Sequence, residues 1–220
     1  MLTPLRFSDL KKKQRAERDS WNHDIALRTH RALSWLDRAE REESDPDAAF
    51  IFLWIAFNAA YARDIDETGS QSERERYVQF IQVLVISDIH KRIAAILFDQ
   101  FSDALPDLIN NKYVLYEYWQ HQANPEAGID WESELLDSVR KAHGYVKHRD
   151  AVKYLRLVLS RLYVLRNQIM HGSATWRSET NRKQVQDAAQ VMRMFVPIMI
   201  DVMMEDPTQD WGDPLYPVQH

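Results

Sequence analysis

Residues 48–62 read AAFIFLWIAFNAAYA, and this stretch is apolar on nearly every side of a helix. A helix of this length that is apolar all round lies in the centre of a helical protein, not at its surface. Asp45 can cap the helix that begins here, and Pro46 suits its first turn, where no backbone N–H is needed. The stretch therefore predicts a central helix around which the rest of the chain packs.

Most of the remaining chain repeats apolar residues at intervals of three and four, the pattern of amphipathic helices. Glycine is scarce, at 5 of 220 residues, and no strand pair or internal repeat is visible. A β-rich chain of this size usually carries more glycine in its turns. We therefore predict an all-α fold, a helical bundle of about six to eight helices. Besides the central helix, helices are predicted over residues 21–43, 73–87, 89–104, 106–122, 131–146, 150–170 and 179–204.

The length of the chain, 220 residues, suits one domain with a single hydrophobic core. We expect this domain to span residues 21–204. Residues 1–20 form a charged segment before it. Residues 205–220 contain three prolines and are expected to form an irregular tail.

The composition excludes several classes of function. The chain has no cysteine, so it forms no disulfide, thiolate zinc site or cysteine nucleophile. The few glycines form no dinucleotide-binding loop, phosphate-binding loop or nucleophile elbow. No convincing metal-ligand pattern is present, and neither a metal nor a cofactor is expected. Residues 1–20 lack the apolar core of a signal peptide, and no stretch of about 18 apolar residues occurs, so we expect a cytoplasmic protein without a membrane partner.

Charge is distributed unevenly along the chain. The whole chain has 28 Lys and Arg residues against 33 Asp and Glu residues, a net charge of −5. The segment from Arg140 to Arg193 nevertheless contains twelve basic and three acidic residues, so that it carries +9 and the remainder carries −14. Such a distribution indicates a face that binds a polyanion, or two parts that pack together and neutralise each other.

The helix predicted over residues 150–170 contains a cation where its pattern calls for an apolar side chain. Its apolar stripe consists of Val152, Leu155, Leu159, Leu162 and Ile169. The position skipped before Ile169 is Arg166, which at about 100° per residue falls near the middle of the apolar face. An unpaired guanidinium in the core is very costly, so Arg166 must contact an acid, an anion or a wet cleft. Arg166 is therefore either a functional residue or one half of a structural ion pair.

Two further polar residues follow Arg166. Asn167 comes directly after it, and His171 lies four residues after Asn167, on the same side of the helix. Arg166 and His171 are about 140° apart around an ideal helix, so they converge only if the helix unwinds or a second chain completes the site. Gly172 is placed to end the helix in the left-handed conformation. Taken alone, His171 would be a helix C-terminal cap favoured by the macrodipole.

The sequence VLRNQIMHG, residues 164–172, resembles the signature of the HEPN superfamily. In that signature an arginine is followed after four to six residues by a histidine, often with a polar residue directly after the arginine. Arg166, Asn167 and His171 match this pattern.

A second stretch strengthens the resemblance. The sequence WIAFNAAY, residues 54–61, is similar to an earlier core helix of larger HEPN-like bacterial proteins. The resemblance implies an up-and-down helical core between about residues 21 and 204. Residues 89–146 would then be an insertion relative to the smallest members of the superfamily.

The resemblance also implies a function. Many HEPN members are metal-independent endoribonucleases of toxin–antitoxin or antiviral systems, and others are inactive RNA-binding or scaffold modules. For a nuclease it implies attack of the RNA 2′-OH on the adjacent phosphate, at a cleft between two copies of the chain. Arg166 would hold the phosphate, His171 would transfer protons and Asn167 would support them. The implied partners are RNA, a second copy of the chain and an antitoxin protein; the alternative is a non-catalytic RNA-binding or protein-interaction module.

Further side chains are candidates for contacts with RNA or for the cleft. Asn58 lies in the apolar helix and is a candidate to line the cleft, unless a hydrogen bond in the core satisfies it. Trp176, beside the motif, is a candidate for stacking on bases. The basic side chains expected to guide RNA, unless some only form a solvated face, are Arg149, Lys153, Arg156, Arg161 and Arg177.

Overall fold

The computed structural model describes residues 2–61, 73–179, 182–212 and 214. In these residues it contains ten α-helices and no β-strand, so the prediction of an all-α fold is confirmed. The helices are α1 (Phe7–Glu17), α2 (His23–Glu40), α3 (Pro46–Tyr61), α4 (Glu73–Ser87), α5 (Arg92–Ala95), α6 (Ala104–Ile109), α7 (Tyr116–Ala123), α8 (Trp131–Lys147), α9 (Ala151–Met170) and α10 (Arg182–Glu205). Short 3₁₀ turns lie at Arg18–Ser20, Lys112–Val114 and Pro125–Ala127, and a π turn lies at Ile96–Gln100.

The chain divides into two compact units. Residues 93–188, together with Leu2, form the first unit. Residues 3–92 and the described residues from Ala189 onward form the second, so that α10 contributes to both. The single domain over residues 21–204 and the insertion at residues 89–146 stay predictions.

The apolar stretch of the sequence forms α3, in the core of the second unit. The Asp45 carboxylate accepts hydrogen bonds from the backbone N–H groups of Asp47 and Ala48, both at 3.1 Å. These bonds satisfy amides that have no partner within the helix, so the predicted cap is present. The α2 helix packs along α3. The large apolar side chains of α3 that are almost completely enclosed are Phe50, Leu53 and Phe57.

The charged N-terminal segment folds into a helix, α1, which the sequence pattern does not predict. Leu10 is its only buried apolar side chain. The Gln14 amide donates a hydrogen bond to the Thr29 hydroxyl of α2 at 3.4 Å, and the Lys13 ammonium pairs with Asp201 of α10 at 2.7 Å. Polar contacts therefore hold much of α1 in place, and such contacts leave no apolar periodicity in a sequence.

The first unit is built around α9. Its Leu155, Val158, Leu162 and Leu165 side chains are buried, and α6 and α8 pack against it. The Asp150 carboxylate caps the helix by accepting a hydrogen bond from a first-turn backbone N–H at 3.1 Å. The bounds of α9 agree closely with the helix predicted over residues 150–170.

Two helices predicted between residues 89 and 122 are broken into shorter pieces. The chain there forms α5, the π turn, α6, a 3₁₀ turn and α7. The Asn111 side chain accepts a hydrogen bond from the Tyr113 backbone N–H at 2.9 Å, which fixes a turn between α6 and α7. Asparagine favours such local turns over continued helix because its side chain competes for backbone hydrogen bonds.

Candidate functional site

The C-terminal end of α9 carries the residues of the predicted motif. His171 is the C-cap residue, and Gly172 follows it with a φ of 71°. The Gly172 N–H donates to the Ile169 carbonyl at 3.2 Å, and the Ser173 N–H donates to the Gln168 carbonyl at 2.8 Å. This pair of bonds is a Schellman motif. The prediction that Gly172 ends the helix in the left-handed conformation is confirmed.

Arg166 lies at the edge of the buried face of α9, not near its middle. Leu162 and Leu165 are completely buried, whereas Arg166 is half-buried. Its guanidinium Nη1 donates a hydrogen bond to Asn167 Oδ1 at 2.9 Å, and its enclosed Nε has no hydrogen-bond partner among the described residues. No acidic side chain in this part of the chain pairs with it, so the alternative of a structural ion pair is not realised there.

The contact with Arg166 fixes the orientation of the Asn167 amide. A guanidinium carries only hydrogen-bond donors, so the amide oxygen of Asn167 must face it. The amide NH₂ group therefore points elsewhere and is not bonded to any described residue. Asn167 is thereby presented as a donor with a set direction.

A groove of about 370 Å³ lies beside the end of α9. Asn167 and His171 both line it, as their spacing of four residues predicts. His171 is exposed, and no described side chain is hydrogen-bonded to its ring. Arg166 does not line the groove and joins the site through its bond to Asn167. The other lining residues are Tyr116, Trp119, Val164, Gln168 and Ser173.

The aromatic wall of this groove is not part of the predicted motif. Tyr116 and Trp119 belong to α7, and both are exposed. Trp119 Nε1 donates to the Tyr113 carbonyl oxygen at 2.8 Å, and Gln168 Nε2 of α9 donates to the same oxygen at 2.6 Å. One carbonyl thus orients side chains from both walls. The available signal in the sequence is the aromatic-rich run YVLYEYW, residues 113–119, which has no recognisable motif.

Arg161 is the most deeply buried cation of α9, and its assignment to an RNA-binding surface is wrong. It is 5% exposed, and its guanidinium donates hydrogen bonds to the Ile109 carbonyl at 3.3 Å and to the Ser138 hydroxyl at 2.6 Å. Burial lowers the pKa of Arg161. The guanidinium lies at the C-terminal end of α6, where positive charge is favourable. Arg161 therefore joins helices and offers nothing to a ligand at the surface.

Two of the other predicted RNA-binding cations are exposed but paired locally. Arg149 pairs with Asp99 at 3.2 Å, and Lys153 pairs with Asp150 at 2.9 Å. The hydrogen bond with Asp150 raises the pKa of Lys153. Local pairing thus neutralises part of the positive charge of this segment. Arg156 is half-buried and has no acidic partner among the described residues.

The remaining candidates lie on either side of these residues in the sequence. Trp176 is 67% exposed, and the Arg177 guanidinium lies 4.4 Å from the centre of its ring. A cation above an indole is a favourable arrangement. Asn58 is half-buried in α3 of the second unit and is not one of the groove-lining residues.

No protein-family model, curated protein or solved structure matches this chain. None of the helices in the described ranges combines the length and the apolar character needed to cross a membrane. In the same ranges, no three His, Asp or Glu side chains lie close enough together to hold a metal ion. The function of the site is therefore inferred from its geometry and from the chemistry of its side chains.

Proposed function

We propose that this protein is a metal-independent endoribonuclease whose site consists of Arg166, Asn167 and His171. The observation that carries the proposal is the placement of Asn167 and His171 in one groove, with the Asn167 amide oriented by a guanidinium. The likeness of residues 164–172 to the HEPN signature supports it, because the same three positions form that motif.

The reaction needs a base, an acid and a source of positive charge. The 2′-oxygen attacks the adjacent phosphorus, and its proton passes to an imidazole acting as a base. The bond from phosphorus to the 5′-oxygen breaks, and that oxygen takes a proton from an imidazolium acting as an acid. The products are a 2′,3′-cyclic phosphate and a free 5′-hydroxyl. Protein side chains supply every proton transfer in this route.

Each residue of the motif has a role that follows from its position. His171 is exposed and unrestrained, which suits a group that accepts and returns protons. The Asn167 NH₂ group donates a hydrogen bond to a phosphate oxygen. Arg166 does not line the groove, so it does not hold the phosphate directly as the resemblance implies; it fixes the Asn167 amide, and its charge acts on the phosphate from behind that amide.

A homodimer would supply the base and the acid from two copies of His171. Tyr163 and Met170 are 51% and 47% exposed on α9, close to the motif in sequence. Exposed tyrosine and methionine side chains are typical of contacts between subunits. An antitoxin partner and a role in toxin–antitoxin or antiviral defence belong to the same proposal through the HEPN resemblance.

The test is the cleavage of single-stranded RNA in the presence of a chelator. We expect the wild-type protein to cut the RNA and His171→Ala to lose at least a hundredfold in rate, since general acid–base catalysis contributes about 10²- to 10⁴-fold. His148→Ala is a matched control, because His148 is also exposed and is the C-cap residue of α8. Equal rates for His171→Ala and wild type would contradict the catalytic role of His171.

A second candidate function is RNA binding without cleavage, or interaction with another protein. The observation that favours it is that His171 occupies a helix C-cap, where the macrodipole alone explains a histidine. In that case the protein binds RNA or a partner protein, and neither wild type nor His171→Ala produces a cyclic phosphate.

A further inference from the structure

Two aromatic side chains of α7 stand exposed on one wall of the groove. Tyr116 is 56% exposed and Trp119 is 42% exposed. They are three residues apart and therefore share a side of α7. The Trp119 indole is held in place by its hydrogen bond to the Tyr113 carbonyl, and the Tyr116 ring makes no ring contact with any described residue. The groove thus has an accessible aromatic wall that is partly preorganised.

The side of the groove formed by α9 combines Val164 with polar groups of the proposed site. Asn167 presents its NH₂ group, and His171 presents its imidazole. The volume of the groove, about 370 Å³, lies near the lower end of the range for ligand clefts. An aromatic wall opposite a small number of directed polar groups suits a flat heteroaromatic ring with an attached polar group.

Two cations lie on the same side of α9 as the groove: Lys153, which is paired with Asp150, and Arg156. Lys153 and His171 are separated by eighteen residues, which is five full helical turns or about 27 Å. Arg156 and Asn167 are separated by eleven residues, close to three turns or about 16 Å. Arg156 has no acidic partner among the described residues. A chain of phosphates that leaves the groove in this direction would meet a cation.

We infer that the groove is a base-binding subsite that takes one unstacked nucleobase of single-stranded RNA, next to the phosphate at His171. The ring of the base stacks on Tyr116 and Trp119, and the backbone follows α9 toward Arg156. A duplex is excluded from this subsite because its bases are already paired and stacked. The inference rests on the proposed function, and it adds the class of RNA and the residues that select it.

The test measures binding separately from cleavage. A labelled RNA with 2′-O-methyl groups throughout cannot undergo attack by a 2′-OH, so its affinity for the protein is measured by fluorescence anisotropy without cutting. We expect Tyr116→Leu to weaken binding of the single strand about tenfold or more, and Tyr116→Phe to bind as wild type does. The same RNA annealed to its complement should bind more weakly and be indifferent to Tyr116→Leu.

Two controls make the result specific. Trp35 is an exposed aromatic of α2 in the second unit, and Trp35→Leu should leave the affinity unchanged. The exposure of Tyr116 means that Tyr116→Leu should fold normally, which thermal unfolding checks.

The outcomes separate this inference from the proposed function. Wild-type affinity in Tyr116→Leu, together with normal cutting of unmodified RNA, overturns the base subsite and leaves the nuclease in place. Binding that depends on Tyr116, without any cutting of unmodified RNA, supports the subsite and contradicts the nuclease. Absence of RNA binding overturns both.

Discussion

At the scale of single residues, the contact between Arg166 and Asn167 determines which hydrogen-bonding group of Asn167 faces the groove. The guanidinium accepts no hydrogen bond, so it orders the neighbouring amide with its oxygen inward and its NH₂ group outward. A cation at the edge of a buried helix face thus controls the direction of a donor in the groove. A substitution that removes the Asn167 NH₂ donor but keeps the contact with Arg166 should therefore lower RNA cleavage without lowering stability.

The substitution Asn167→Asp separates the donor from the contact with Arg166. The carboxylate keeps the contact and adds charge to it, so we expect the free energy of unfolding to stay the same or to rise by up to about 1 kcal/mol. The variant loses the NH₂ donor and places negative charge beside the phosphate. RNA cleavage should fall at least tenfold while stability is kept, as urea unfolding and a cleavage assay would measure. Cleavage at the wild-type rate would contradict the role given to the amide.

Arg161 and Arg156 form a second comparison between two cations of α9. Removal of the buried guanidinium in Arg161→Ala leaves the Ile109 carbonyl and the Ser138 hydroxyl without their partner, so we expect a loss of about 2 kcal/mol in the free energy of unfolding. Arg156→Ala should leave stability unchanged and weaken RNA binding. Urea unfolding and anisotropy measure the two effects. The reverse assignment of effects would contradict the burial described for Arg161.

The sequence pattern places Arg166 too near the middle of the apolar face and places Arg161 wrongly at the surface, because the buried face of α9 is wider than the predicted stripe. The predicted stripe follows Leu155, Leu159 and Leu162, whereas the buried face of α9 also includes Val158 and Leu165. This wider face moves Arg166 to one edge. It also places Arg161 inside, where the α6 carbonyl and α8 hydroxyl that accept its hydrogen bonds come from other parts of the chain. Those partners are not visible in a local pattern.

At the scale of elements, the helix ends follow the sequence well. The Asp45 cap of α3 and the glycine that ends α9 are confirmed. The long helices α3, α8 and α9 also agree closely with their predicted ranges. The sequence pattern does not predict α1, because polar contacts hold much of this helix in place. It predicts two long helices in the region of α5 to α7, where the turns depend on side-chain hydrogen bonds such as that of Asn111.

Two glycines give opposite predictions for the same change. Gly172 has a φ of 71°, and a Cβ added there meets nothing within 4 Å, so Gly172→Ala suffers only from the backbone conformation. We expect it to destabilise the protein by about 1–2 kcal/mol. Gly144 lies inside α8 with equally open space, so Gly144→Ala should stabilise the protein by up to about 1 kcal/mol. Chemical unfolding measures the change in the free energy of unfolding for both variants. A change of the same sign in both would contradict the left-handed helix end assigned to Gly172.

At the scale of the whole molecule, the net charge of +9 between Arg140 and Arg193 overstates the charge available to a ligand. Asp99 and Asp107, which lie outside this segment, pair with Arg149 and Lys183. Arg161 is buried, and Arg177 lies over Trp176. Composition thus predicts that this segment is positively charged, but it does not predict which of its cations are accessible. Accessibility depends on residues that folding brings together.

The accessible charge predicts a modest dependence of RNA binding on salt. The logarithm of the association constant for a single strand falls with the logarithm of salt concentration by about 0.7 for each phosphate contacted. We expect Arg156→Ala to reduce the magnitude of this slope by about 0.7, and Arg161→Ala to leave it unchanged. Anisotropy titrations at several salt concentrations give the slopes. An unchanged slope in Arg156→Ala would remove Arg156 from the path of the RNA.

The groove itself shows the limit of prediction from this sequence. The motif at Arg166, Asn167 and His171 identifies one wall, because all three residues lie within six consecutive positions. Tyr116 and Trp119 come from a helix about fifty residues earlier and reach the groove only through the packing of the first unit. A local motif therefore indicates the chemistry, and the tertiary structure indicates what that chemistry acts upon.

The proposed function requires proton transfer by His171 during cleavage of an RNA backbone. Its most direct test is mass spectrometry of the ends of RNA fragments produced in the presence of a chelator, by wild type and by His171→Ala. We predict fragments that end in a 2′,3′-cyclic phosphate and begin with a 5′-hydroxyl from the wild type, and intact RNA from the variant. Intact RNA from both proteins would contradict the nuclease activity, and the same fragments from both would contradict the catalytic role of His171.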